Sequence, residues 1–112
     1  MAKFLLLHNS NMTAADLMAN ASPEEMKASM GEWVKWRDEA SKTLRVEFGM
    51  PLQAVGRITP DGVTGSDTHV SGYSIVEGAS KEAVIAQLRT HPHLKRAGAS
   101  IDVLEMLSMP GI

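Results

Sequence analysis

The order of hydrophobic patterns along the 112 residues predicts an α+β fold of the ferredoxin-like kind. That plan, βαββαβ, is a four-stranded antiparallel sheet with two helices on one face. Three observations predict it. The stretch Ser71 to Leu107 reads as strand, helix, strand, with the helix stopped at His91-Pro92-His93. The first part of the chain repeats the plan around a second helix, which opens at Ser22-Pro23-Glu24-Glu25. The short apolar runs flanking both helices alternate with a period of two, as strands do. A single domain over 1–112 follows, because this length supports one core and not two.

Lys3 to His8 is the first predicted strand, an apolar run closed by a polar cluster. Alternation puts Phe4, Leu6 and His8 on one face and Leu5 and Leu7 on the other. Both faces are apolar, so both need cover: helices on one side, and on the other something else, for which a partner subunit is one answer. Thr13 can cap a short helical turn through Met18. Ser22 then caps the main helix, with Pro23 at its first position and Glu25 completing a capping box. At about 100° per residue Met26, Met30, Trp33, Ala40 and Leu44 form its apolar stripe, with Arg37 inside the stripe and Trp36 at its edge. The helix is expected to end near Thr43 or Leu44. Arg45 to Ile58 is strand-rich and interrupted at Gly49 and Pro51, which predicts a bulge or an edge position. Thr59-Pro60-Asp61-Gly62 is a turn signal extended by Gly65-Ser66-Asp67 into a loop. His69 to Glu77 is the third strand. Ser80 caps the second helix, which buries Val84, Ile85 and Leu88 and stops near Thr90. Leu94 to Ser100 connects to the last strand, Ile101 to Leu107, and Ser108 to Ile112 is a tail.

The composition narrows the function classes. Hydrophobic residues make up 44% and charged residues 21%, an ordinary globular balance. The net charge is -2 with no basic stripe, which argues against nucleic-acid binding. The absence of cysteine removes disulfides, thiolate nucleophiles and Cys-type zinc sites. The N-terminal apolar run Phe4-Leu5-Leu6-Leu7 is too short for a secretory core or a membrane span, so a cytoplasmic protein with no membrane partner is expected. A sheet with helices on one face leaves the other face apolar, and pairing two such faces predicts a homodimer.

Five segments together resemble the YCII-related family: Lys3-Phe4-Leu5-Leu6-Leu7, Ser22-Pro23-Glu24-Glu25-Met26, Ser71-Gly72-Tyr73-Ser74-Ile75-Val76-Glu77, His91-Pro92-His93-Leu94, and Ile101-Asp102-Val103-Leu104-Glu105. The resemblance implies a dimeric α+β barrel with a small cleft in each subunit between sheet and helices. Some members carry a histidine on the first long helix and an aspartate just before a proline at the end of the second, a possible acid/base dyad. Here the residue before the proline is His91, and Ser22 to Leu44 contains no histidine.

Candidate site residues follow from side-chain chemistry. His91 is the first choice for an acid/base, since an unperturbed histidine titrates near ~6.5. With His93 it can instead grip a ligand. The structural alternative sets one imidazole against the negative helix end and turns the other, His93, to solvent. His8, on the Phe4 and Leu6 face, is the second acid/base candidate or else a satisfied core histidine. Arg37 can hold a carboxylate or can bury its stem and expose its head. Trp33 and Tyr73 can wall a pocket or belong to the core. The His-x-His spacing, with His69 or His8 as a further ligand, is too weak a signal for a metal, so no metal and no cofactor are expected. No serine sits in a nucleophile elbow. The functional expectation is a small, anionic organic molecule bound in a cleft, with cofactor-free acid/base chemistry of the isomerase or lyase kind. The alternative is a non-catalytic small-molecule-binding or accessory homodimeric module.

Overall fold

A computed structural model describes residues 1–111; Ile112, the end of the predicted tail, lies outside the described residues. The chain is α+β. Its main sheet comprises β1 (Ala2–Asn9), β2 (Arg45–Pro51), β5 (Val70–Gly78) and β6 (Ser100–Glu105), all antiparallel, in the order β2-β5-β1-β6. The long helix α2 (Pro23–Ala40) and the short helix α3 (Lys81–Leu88) follow the first and third of these strands, giving the expected ferredoxin-like character. Among the described residues no helix is long and apolar enough to cross a membrane.

The local signals explain the element starts. Ser22 Oγ accepts from the Glu25 N–H at 3.1 Å, and Glu25 Oε1 accepts from the Ser22 N–H at 3.3 Å, so the capping box forms in full. Ser80 caps α3 through the Ala83 N–H at 3.2 Å. Beyond α3, His91 begins a 3-10 turn, Pro92–Lys95, that packs against α2 and β6. The core lies between sheet and helices: Phe4, Leu6 and Val76 from the strands against Trp36, Ala40, Leu44, Val84 and Leu88.

Several details differ from the expectations: Ile85 of α3 is 43% exposed, and β6 stops at Glu105, short of Leu107. The segment Thr13 to Met18 is a full helix, α1 (Ala14–Asn20), capped by Thr13. The main helix ends at Ala40 and α3 at Leu88, short of Leu44 and Thr90, because their last residues tighten into turns. The strand-rich stretch Arg45 to Ile58 divides: β2 stops at Pro51, and β3 (Arg57–Thr59) and β4 (Gly62–Thr64) form a separate hairpin around the predicted turn, where Gly62 adopts a φ of 138°. The stripe of α2 is also displaced. Met26 and Met30 are exposed, whereas Trp36, placed at the stripe's edge, is buried. Only the C-terminal half of α2 lies on the sheet core; its middle, at Ser29, Met30 and Trp33, overhangs a cavity.

Candidate functional site

The cavity encloses about 440 Å³ on the helix-covered side of the sheet. Its walls come from α1 (Ala14, Leu17, Met18), from α2 (Ser29, Met30, Trp33) and from the end of β2 (Phe48 to Pro51). The floor is made by His8 of β1 and Ser71 to Ser74 of β5. Two irregularities in the ladders fall here, at His8/Asn9 between β1 and β5 and at Phe48/Pro51 between β2 and β5. Bulges bend strands and re-aim side chains, which opens this end of the sheet while the Phe4 end stays closed.

His8 is the polar centre of the floor. It continues the buried row Phe4, Leu6, His8, and its Nε2 lies 3.0 Å from Ser74 Oγ on the neighbouring strand. Its ring contacts Trp33 at 5.2 Å, His91 at 5.3 Å and His93 at 5.2 Å between centroids. Burial first, and then the neighbouring His93, pushes its pKa down to about 4. It is therefore neutral at pH 7 and able to accept a proton.

His91 sits deeper. Its ring lies between two indoles, 4.6 Å from Trp33 and 4.4 Å from Trp36. Its Nδ1 accepts from the His93 N–H at 3.0 Å, so the ring proton resides on Nε2. Burial, then His8 and then His93, pushes its pKa down to about 3. His91 does not line the cavity and meets it only through Trp33 and His8. The structure thus places the first-choice acid/base as a cap of the 3-10 turn, and brings the second choice, His8, to the cavity.

His93 does not face solvent. It is buried, and its Nε2 donates to the Asn9 carbonyl at 2.8 Å, tying the 3-10 turn to the end of β1. Arg37 lies outside the cavity lining. Its guanidinium stands 5.2 Å from the Phe48 ring centroid and pairs loosely with Asp38 at 3.9 Å, so its charge is already engaged. Trp33 is a true wall. Trp36 is core, its indole N–H donating to the Gln87 carbonyl at 3.0 Å and linking α2 to α3. Tyr73 touches the cavity boundary, but by strand alternation its ring belongs to the opposite sheet face. There it covers Gly49, where a Cβ would come within 2.4 Å of the ring.

Two site residues were not legible beforehand. Ser74 sits in the predicted third strand, but only the register of β1 against β5 sets it beside His8. Arg96 lines the cavity from the connector after the 3-10 turn, a stretch with no sequence pattern of its own. Among the described residues no group of three or more histidine, cysteine, aspartate or glutamate side chains is arranged to hold a metal ion. The chain matches no protein-family model and no curated protein.

Proposed function

We propose that this protein is a YCII-related homodimer of the dimeric α+β barrel kind that binds a small organic molecule in the cavity over His8. One observation carries the reading: a cavity of about 440 Å³, apolar in most of its wall, has a neutral imidazole and its serine partner in the floor. Ligand sites typically combine such a volume with a few convergent polar groups. His8 takes the acid/base role in place of His91, because it reaches the cavity and His91 does not. The dimer is supported by the sheet face away from the helices. Leu5, Leu7, Ile75 and Leu104 occupy its middle, with Lys3, Arg45, Glu47, Glu77 and Asp102 around them. An apolar centre with a charged rim is the anatomy of a protein interface.

Native mass spectrometry of gently purified protein, compared with Gly72→Leu, tests this. Gly72 can accept a Cβ at ordinary contact with His8, 3.9 Å away, and the longer side chain then fills the cavity. The expected result is a dimer that carries or takes up small-molecule mass, and a Gly72→Leu dimer that does not. A monomer across micromolar concentrations overturns the dimer; equal uptake by the filled variant overturns the cavity site. For the acid/base role, His8→Gln keeps a partner for Ser74 while removing the titrating nitrogen. Turnover of the molecule so identified is expected to be lost with the fold intact, and full retention removes His8 from the chemistry.

A further inference from the structure

The cavity carries one formal charge. Of the described residues that line it, Arg96 alone is charged at neutral pH, since His8 is neutral and no aspartate, glutamate or lysine contributes. Among the described residues no carboxylate lies within ion-pair distance of Arg96. Neighbouring cations differ: Lys95 pairs with Glu32 at 3.4 Å, and Arg37 is held by Phe48 and Asp38. The backbone of Arg96 is fixed on both sides, its N–H donating to the His93 carbonyl at 3.3 Å and its carbonyl accepting from the Ala99 N–H at 3.1 Å. Apart from Ser29 and the floor residues His8, Ser71 and Ser74, the rest of the lining is apolar or aromatic. Trp33 meets Phe48 edge to face at 5.7 Å, and Met18, Met30 and Met50 supply surfaces that adapt to shape.

We propose that the ligand is a small organic monoacid, with its carboxylate paired to Arg96 and an aromatic or branched apolar body lying against Trp33, Phe48 and the methionines. This assignment rests on the cavity being the ligand site, and it replaces Arg37 by Arg96 as the anion holder. A guanidinium offers a planar fork of donors that matches a carboxylate, and because Arg96 is exposed at the rim of the cavity the pairing is a modest one. A cationic ligand would meet Arg96 with no carboxylate to offset it. A strongly polar ligand would leave hydrogen-bonding groups unmatched along most of the wall. His8 and Ser74 then meet a part of the ligand other than its carboxylate, and one that accepts or gives a proton.

Matched pairs of carboxylic acids and their primary amides test this. Phenyl, indolyl, cyclohexyl and isobutyl bodies on the same short linker are titrated at pH 7.5, with the Trp33 indole and Ser74 amide NMR signals as readout. The acids are expected to bind about fivefold more tightly than their amides. That preference shrinks with added salt, and Arg96→Gln abolishes it. Equal affinity within the pairs, or an acid preference that survives Arg96→Gln, overturns the monoacid assignment and leaves the cavity reading standing. If no acid or amide moves the cavity signals, the cavity reading itself fails, and this assignment with it.

Discussion

The two faces of the one sheet are made from alternate residues of the same strands, and they differ in what they bury. On the helix side Phe4, Leu6 and Val76 are 2%, 1% and 0% exposed and meet Trp36, Ala40 and Val84. On the other side Leu5, Leu7 and Ile75 are only half-buried, and Leu104 is exposed. Both rows of β1 are apolar in the middle, Phe4 and Leu6 on one face and Leu5 and Leu7 on the other. Hydrophobicity at a strand position therefore does not say whether it is core. What decides is whether another element lies over it. The two faces also end differently, the covered face in the His8 cavity and the open face in a charged rim.

The largest expected effect that sharpens this comparison is Leu6→Ala, which empties a fully packed position and costs about 2–5 kcal/mol. Leu7→Ala, one residue along, is expected to cost about 1 kcal/mol in the dilute monomer. Urea unfolding of both variants decides it, and equal losses would mean that the two faces are equally packed.

The next effect concerns pH. Folding lowers the pKa of His8 to about 4 and of His91 to about 3, from an ordinary value near 6.5. Below that ordinary value the unfolded chain binds protons that the folded chain does not, so stability falls as pH falls toward the folded pKa values. Between pH 7 and pH 5 the loss is about 2 kcal/mol per histidine. The melting temperature is expected to drop over this range, and His8→Gln is expected to flatten the drop. An unchanged slope would show that His8 is not the neutral, buried group of the covered face. The open face offers no such titration.

The smallest effect is on the open face. Lys3 and Arg45 each lie 3.8 Å from Glu77, in one cross-strand row. Exposed pairs of this kind contribute about 0–1 kcal/mol. Arg45→Ala is expected to leave monomer unfolding within about 0.5 kcal/mol of the parent and to weaken self-association, read by sedimentation. A large loss of monomer stability would mean that this row belongs to the fold and not to an interface.

Much of the fold is written locally. The capping box at Ser22, the cap at Ser80, the proline at 92 and the alternation in the four main strands each act through neighbours within a few residues, so a linear reading finds them. The separate hairpin is harder to find, because its three-residue strands leave no period to detect: the pattern joins Arg57 and Ile58 to the preceding strand and shows only turn and loop beyond them. The site was legible in its residue types and not in its membership. His8 and Trp33 stand out by side-chain chemistry alone, and both line the cavity. Arg37 stands out as a charge on an apolar stripe, but in the fold its guanidinium lies over Phe48.

The sequence by itself therefore determined the order of the main elements, where helices begin and which strand rows are apolar. Those properties depend on bond geometry, capping and period, all local. Only the tertiary structure decided which histidine reaches the cavity and which apolar row is covered. It also decided that Ser74 and Arg96, unmarked in the chain, stand in the cavity wall. Those outcomes depend on strand register, on two bulges and on where the long helix overhangs the sheet, and each is set by contacts between residues far apart in the sequence.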